Sequence, residues 1–452
     1  MSREQAPDFR PIHDRKELLS YFAEGEKSSS ERFVGTETEK FVLRRSTGQM
    51  LSFEEPGGFG DLFRALVERF DWEPTPPDEG QVVALVGPAG AVTLEPGGQL
   101  ELSGALCKTV FETAAEYDGH LSELAEIADP DLVFTSWGMN PGVNPDEVPW
   151  MPKSRYKIMR EYLPKKGDLA HWMMKTTCTI QANYDYCSEE DATDLIHTAL
   201  LASPIVGALF ANSPIRDGEK TKFQSFRNHI WTRTDPDRCG APDFMYRTDW
   251  GYADYIDYVF DVPMFFIRRE DRYINMAGHS FAEFVARGYE GHEATVGDFE
   301  LHLSTLFPDV RMKKYVEMRT ADGGSRDAVL ALPAIWKGLL YDQEARQRTK
   351  DLFHPLDEKG HRELMIISSM EGIHGQSTAY GTMAALGKEL LLISAAGLDR
   401  IAAEAGHATE AIFLEPLQEL LEKKRSFADD LASSFTELDG DLVALAERYS
   451  LW

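Results

Sequence analysis

The chain has 452 residues, and 47 Lys+Arg against 75 Asp+Glu leave a net charge of −28 and a pI near 4.8. With 43% hydrophobic and 27% charged residues, this is globular composition with ample core, which excludes a disordered or fibrous protein. The acidity excludes nucleic acid as the main partner, because phosphate backbones need a basic surface. Any phosphate chemistry therefore requires a local site, with a metal ion between the two sets of negative charge.

The opening residues, MSREQAPDFRPIHDRKELL, lack a secretion signal's apolar core of about 7–15 residues, and no charge-free apolar run of about 18 residues occurs, so no membrane span is expected. Cys107, Cys178, Cys187 and Cys239 show neither CxxC nor zinc spacing. They read as reduced thiols, so a cytoplasmic location is expected, with an organelle after removal of an import peptide left open.

In chain order, residues 14–26 and 58–70 read as helices, the second with Phe59, Leu62, Phe63, Leu66 and Val67 on one face. Strand-like runs follow near 81–86 and 91–95. Cys107–Ile127 is helical, and 136–155 is a loop punctuated by Pro141, Pro145, Pro149 and Pro152. Ser188–Phe210 reads as a helix opened by an N-cap serine and acids. Beyond Leu340 nearly everything reads helical, including Glu363–Met370, Ser377–Leu398 and Pro416–Leu431, where Leu417, Leu420, Leu421, Phe427 and Leu431 form a stripe. The working sheet falls within 30–320, followed by a helical region after a boundary near 340–355.

Side chains alternate across a strand, so residues of like parity share a face. In 33–43 this places Glu37 and Glu39 together. In 94–104 it groups Glu95, Gln99 and Glu101, although Pro96–Gly98 interrupts that strand. In 177–185, Gln181, Asn183 and Asp185 alternate with Ile180, Ala182 and Tyr184. In 311–319, Arg311, Lys313, Tyr315, Glu317 and Arg319 share parity. For any one strand a solvated polar face explains this. Four such strands demand more, because Asp and Glu are depleted in strands and like charges side by side repel. A hard divalent cation, Mg²⁺ above zinc, is the natural counter-charge.

Magnesium usually keeps positions open for substrate phosphates, yet no GxxxxGK[ST], GxGxxG in strand–helix context, HExxH or GxSxG is present. ATP held on an antiparallel sheet through metal ions remains. Arg227 and Arg233, in RNHIWTR, are candidate cationic contacts to transferring phosphate or a substrate carboxylate, set against a reading as surface arginines. Lys153 and Arg155 flank the Pro-rich loop, where either a lid over ATP or plain solvation accounts for them.

GTETEKF, LEPGGQLELSGA, MPKSRYKIMREYLP, TCTIQANYDY, FANSPI, RNHIWTRTDPDR, DYVFDVPMFF and YVEMRTADGG follow in one order. Together they resemble the glutamate–cysteine ligases of plants and proteobacteria, from about residue 30 to 345. The resemblance implies an α+β fold with a glutamine-synthetase-like core, in which a curved antiparallel sheet forms a funnel with helices packed outside. It implies a catalytic core over 1–345 and, over 346–452, a helical region packed on it within the same folding unit. The implied reaction joins L-glutamate to the amine of L-cysteine at the expense of ATP, with Mg²⁺ or alternatively Mn²⁺ as cofactor. The implied metal ligands are Glu37, Glu39, Glu95, Glu101, Gln181 and Glu317. Arg319 is the expected substrate-carboxylate contact, and Asn183, Arg227, Lys153 and Arg155 join it as substrate or ATP contacts; Arg319, Arg227 and Arg233 are the expected catalytic residues. Partners are the small-molecule substrates, without nucleic acid or membrane, in a monomer or homodimer. Where plant relatives carry a cysteine, this sequence reads Tyr273-Ile274-Asn275-Met276, so their thiol switch is not expected. Two alternatives stay open: a γ-glutamyl ligase with another amine acceptor, and a sensor that binds Mg·ATP without turnover. Asp322-Gly323-Gly324 reads as a simple turn.

Overall fold

In the computed structural model, which describes residues 8–88, 90–270 and 272–452, the first acidic segment forms the long strand β1, Val34–Arg44. Around it assemble β2 (Glu73–Pro74), β3 (Ala84–Gly87), β4 (Gly90–Leu94), β5 (Leu100–Gly104), β6 (Leu132–Thr135), β7 (Ile180–Tyr184), β8 (Val310–Met312) and β9 (Val316–Met318). The nine strands run in the order β8-β9-β7-β1-β5-β4-β3-β2, with β6 pairing the far end of β1. Every pairing is antiparallel, and the sheet is an open path with two edges rather than a closed barrel. This is the α+β architecture expected from the sequence.

One face of the sheet is apolar. Val34, Ile180, Ala182, Tyr184, Val316 and Met318 join a large core with the helices Glu189–Leu209 and Arg326–Leu340. Val92, Leu94, Leu100 and Leu102 join a second core beneath the helix Phe59–Arg69. Each fully buried aliphatic side chain contributes about 1.5–3 kcal/mol, so this face fixes the register of every strand it covers. Glu189–Leu209 is long and apolar enough, by length and composition, to cross a membrane, but 83% of its apolar window is buried inside the protein, as in a core helix.

The helices Gln343–Phe353, Glu358–Glu371 and Met383–Ala405 pack on Glu189–Leu209. A buried Lys337–Glu410 ion pair, whose Glu410 also accepts the Val110 amide at 2.8 Å, ties the C-terminal region to the helix Val110–Ile127.

Three sequence expectations change. RMKKYVEMR is a hairpin, not one strand: Lys313 N–H donates to the Tyr315 carbonyl at 2.7 Å, folding β9 back on β8. Residues 376–382 form a small hairpin, so the helix expected from Ser377 begins at Met383. The helix expected over 416–431 breaks at Lys424, which is left-handed (φ 51°), and restarts behind the Ser426 cap as Phe427–Glu437.

Candidate functional site

The other face of the sheet is polar yet covered. Register does the assembling: Glu37 lies opposite Gln181 and Ser103, Glu39 opposite Glu101, and Glu317 opposite both Asn183 and Arg311. Directly opposed residues of antiparallel strands point to the same side, so four segments spread over some 280 residues of sequence present one surface. Glu37 and Glu101 are each only 5% exposed and Glu317 1%. Glu95 follows β4 in a tight connection, its N–H donating to Gln99 O at 2.9 Å, with Gly98 at positive φ (83°) completing the reversal.

The face divides electrically. At the β1–β5 end, burial together with the charges of Glu37 and Glu95 pushes Glu101 up to about 8, even though Ser103 donates to it and Lys153 stands nearby. Burial, then Glu95 and Glu101, hold Glu39 well above the usual carboxylate range, although it accepts the Thr179 amide at 3.0 Å and Arg227 opposes the shift. Glu37 accepts from Asn183 Nδ2 at 3.1 Å. Lys153 is buried beside this end, and the Arg155 guanidinium stands 5.2 Å over the Tyr156 ring with Glu95 and Tyr273 acting on it.

At the β7–β9 end cations outnumber carboxylates. Arg311 clasps Glu317 with Nε to Oε2 at 2.5 Å and Nη2 to Oε1 at 2.9 Å, and spends Nη1 on the Ser304 and Leu306 carbonyls. Arg319 Nη1 donates to Gln181 Oε1 at 2.7 Å and to Glu317 Oε1 at 3.2 Å. Burial alone would raise Glu317; Arg311, Arg319 and Lys313 overcome it and hold that carboxyl well below its usual range. The Arg319 guanidinium lies 6.0 Å from the Trp231 ring and 5.7 Å from Phe307. Arg227, 2% exposed, joins this end by donating Nη2 to the Arg319 carbonyl at 3.2 Å.

Not every expected residue converges. Arg233 lies beyond the end of the helix Phe226–Trp231, half exposed, with Nε and Nη2 on Asp168 at 2.9 and 2.5 Å. It stands on the surface, apart from the residues expected to act with it. Residues given no role from sequence matter here. Arg311 orients Glu317, and Asp309, raised by burial to about 6 against the pull of Arg319 and Arg227, sits by the arginine pair. Parity already put Arg311 on the face of Glu317; the hairpin that sets them opposite each other was the missing information.

The donor set suits a hard divalent cation in chemistry: Glu37, Glu39, Glu95 and Glu101 offer carboxylate oxygens, and burial with neighbouring carboxylates raises Glu39 and Glu101. In position it is looser, for among the described residues no three Asp, Glu, His or Cys groups close on a common point. Glu317 and Gln181 are engaged by arginines.

Comparison with known proteins bears on the family and the fold. The profile of Glutamate-cysteine ligase family 2 matches residues 33–448. The chain is 38% identical over 392 residues to glutamate–cysteine ligase A, chloroplastic, of Oryza sativa subsp. indica, covering 85% of this chain and 78% of that one. It is 41% identical over 342 residues to the chloroplastic glutamate–cysteine ligase of Brassica juncea, covering 75% and 66%. In fold it is similar to the glutamate–cysteine ligase of Francisella tularensis solved in complex with AMP, with a TM-score of 0.58 at 13% identity over 98% of this chain and 90% of that chain. A bifunctional glutathione synthetase from Pasteurella multocida gives 0.52 at 14% identity, covering 96% of this chain and 54% of that one.

Proposed function

Because this chain belongs to the glutamate–cysteine ligase family, we propose that the covered polar face is its active site and that it joins the γ-carboxyl of L-glutamate to the amine of L-cysteine with cleavage of ATP. The observation that carries the reading is the split face, with clustered carboxylates at one end and buried arginines at the other, in a chain whose family profile covers residues 33–448. The first end suits metal-bound phosphates, the second an anionic amino acid.

The chemistry divides between the two ends. Glu37, Glu39, Glu95 and Glu101, with Glu317 and Gln181 at the seam, would hold Mg²⁺ or Mn²⁺. Such ions, when bound, screen phosphate oxygens and stabilise the charge that spreads during phosphoryl transfer. Lys153 and Arg155 supply positive charge at the nucleotide end, and Asn183 spans the seam through its bond to Glu37. Arg319, with Arg227 behind it, receives a glutamate carboxylate. Its guanidinium is already aimed by Gln181 and Glu317, so little reorganisation is needed on binding. The γ-carboxylate then takes the terminal phosphoryl group of ATP, releasing ADP. The free amine of cysteine attacks the resulting acyl phosphate; the C–N bond forms, phosphate departs and one proton is lost. No protein thiol is required. Cys178 is fully buried in a separate apolar cluster with Phe41, Leu43 and Trp137, and burial raises its thiol well above the ordinary range.

The two chloroplastic relatives lend no support to the expected cytoplasmic location. We read the four free cysteines as thiols of a reducing compartment, cytosol or organelle.

The test is ADP release from purified protein with ATP, Mg²⁺ and L-glutamate, with and without L-cysteine, with the product mass read in parallel. Cysteine-dependent ADP and a γ-glutamylcysteine mass are expected. Release that follows another amine replaces the acceptor, and absence of glutamate-dependent turnover in folded protein refutes the reading.

A further inference from the structure

Asp322 lies three residues beyond Arg319, in the segment that sequence reasoning takes for a simple turn. Its side chain is fully buried, and both oxygens are in use. Oδ2 accepts the Asn212 amide at 2.8 Å and the Ser213 hydroxyl at 2.6 Å, while Oδ1 accepts the Ser225 hydroxyl at 2.9 Å. Each serine passes the contact on. Ser213 Oγ accepts the Arg227 amide at 3.1 Å, and Ser225 Oγ accepts the Asn228 amide at 3.1 Å, capping the helix Phe226–Trp231. The Arg227 guanidinium approaches Asp322 Oδ1 to 3.9 Å and then donates to the Arg319 carbonyl at 3.2 Å.

A closed circuit results: Arg319 leads by chain to Asp322, Asp322 through Ser213 and Ser225 to Arg227, and Arg227 back to Arg319. The segment is pinned to the approach to β7 by Thr179 Oγ1 donating to Ala321 O at 2.7 Å and Gly323 N–H donating to Cys178 O at 3.0 Å. Space around the carboxylate is closed as well, since a Cβ at Gly138 would fall 2.3 Å from Asp322 Cγ. A buried carboxylate with three hydrogen-bonding partners and a buried guanidinium beside it costs desolvation that a plain turn would not incur. Hydroxyls that donate to a carboxylate are polarised to accept more strongly from the amides beyond.

We propose that Asp322 is a positioning residue for the substrate-carboxylate site, holding Arg227 and Arg319 in the mutual arrangement that receives glutamate. This rests on the reading above that these arginines receive that carboxylate.

The test compares Asp322→Asn, Ser213→Ala, the double variant and Arg319→Ala, measuring kcat, KM for L-glutamate, KM for ATP and thermal unfolding. Asparagine keeps one acceptor oxygen for the Asn212 amide and the Ser213 hydroxyl, turns the other position into a donor towards Ser225, and removes the charge facing Arg227. The expected result for Asp322→Asn is a glutamate KM raised by about tenfold or more with ATP KM close to the parent, alongside a lowered unfolding temperature because Arg227 is left buried without its carboxylate. Ser213→Ala, the milder variant should Asp322→Asn fold poorly, raises glutamate KM less. The double variant is no worse than Asp322→Asn, because the two act through one path. An unchanged glutamate KM in Asp322→Asn, or additive effects in the double variant, overturns the proposal. So does a parallel loss of both substrates and of thermal stability in Ser213→Ala, which is the mark of a scaffold role. Arg319→Ala separates the two failures. If it abolishes glutamate saturation while Asp322→Asn leaves the glutamate KM unchanged, only this inference falls; if it leaves glutamate saturation intact, the site reading falls and takes the inference with it.

Discussion

The two ends of the polar face belong to one sheet and are equally buried, yet they store charge in opposite ways. At the β1–β5 end, buried carboxylates crowd one another until Glu101 is pushed up to about 8. At the β7–β9 end, an equally buried Glu317 is held well below its usual range by Arg311 and Arg319. Burial is common to both; the partners decide the sign. On the proposed function the first end takes an external cation, while the second presents a fixed guanidinium to an anion. A ligase that must bring phosphates and a carboxylate together needs both kinds of surface side by side.

That contrast is broken most severely by replacing one acidic side chain. Glu101→Gln should reduce ADP release by roughly 1000-fold or more, while the metal-free protein, relieved of a crowded carboxyl, unfolds at a higher temperature than the parent. Steady-state turnover and thermal melts in chelator read the two effects. A lower melting temperature would mean that the acid end is not strained.

Glu317→Gln is the mirror image. It leaves Arg311 buried without its carboxylate, and a buried pair broken at one partner costs about 3–5 kcal/mol. Denaturant melts of metal-free protein should show this loss, so two Glu→Gln changes on one sheet face shift stability in opposite directions. Equal shifts would erase the distinction between the ends.

How much of this was legible beforehand follows from what a strand's period can and cannot say. Parity alone gathered Glu37, Glu39, Glu101, Gln181, Asn183 and Glu317, because the two-residue period is local. Which strand lies beside which is not local. Nothing in the sequence near Glu37 says that it will meet Gln181 from β7, nor that Arg311 will face Glu317, since that depends on a turn at 313–315 inside a run that reads as one strand. The break at Lys424 was hidden because leucines on both sides keep a helical stripe. Asp322 was hidden for a different reason: turn chemistry explains Asp-Gly-Gly completely, leaving no unexplained residue to pursue.

Arg319→Ala sharpens the comparison from the arginine end. It should weaken glutamate use by about 100-fold with little change for ATP, in line with losing charge-assisted hydrogen bonds to a carboxylate. Initial rates against each substrate check it. Equal loss for both substrates would move Arg319 to the phosphate side.

The acid end also sets a pH signature. Glu101 titrates at about 8 when folded against an ordinary 4.5, so the folded state binds the proton more tightly than the unfolded chain. Its contribution to stability is fully present below 4.5 and is lost as pH rises through 8. Glu39 moves in the same direction. Metal-free protein should lose about 1–3 kcal/mol between pH 5 and 8; Glu101→Gln should flatten that slope, and added Mg²⁺ should oppose it. Denaturant melts across a pH series in chelator, repeated with Mg²⁺, provide the measurement. A slope that the substitution leaves unchanged would assign the effect elsewhere.

The smallest expected effect comes from the arginine that the structure moved. Arg227 and Arg233 stand six residues apart in one basic motif, and sequence gives no reason to prefer either. The helix Phe226–Trp231 decides between them: Arg227 lies in its first turn and is buried against Arg319, whereas Arg233 follows its last turn and swings out to Asp168. An exposed pair of that kind contributes about 0–1 kcal/mol. Arg233→Ala should therefore change turnover and both substrate KM values by less than about threefold, with stability nearly unmoved. A large, glutamate-specific defect in that variant would instead mean that the loop after the helix folds inward during catalysis and brings a third guanidinium to the arginine end.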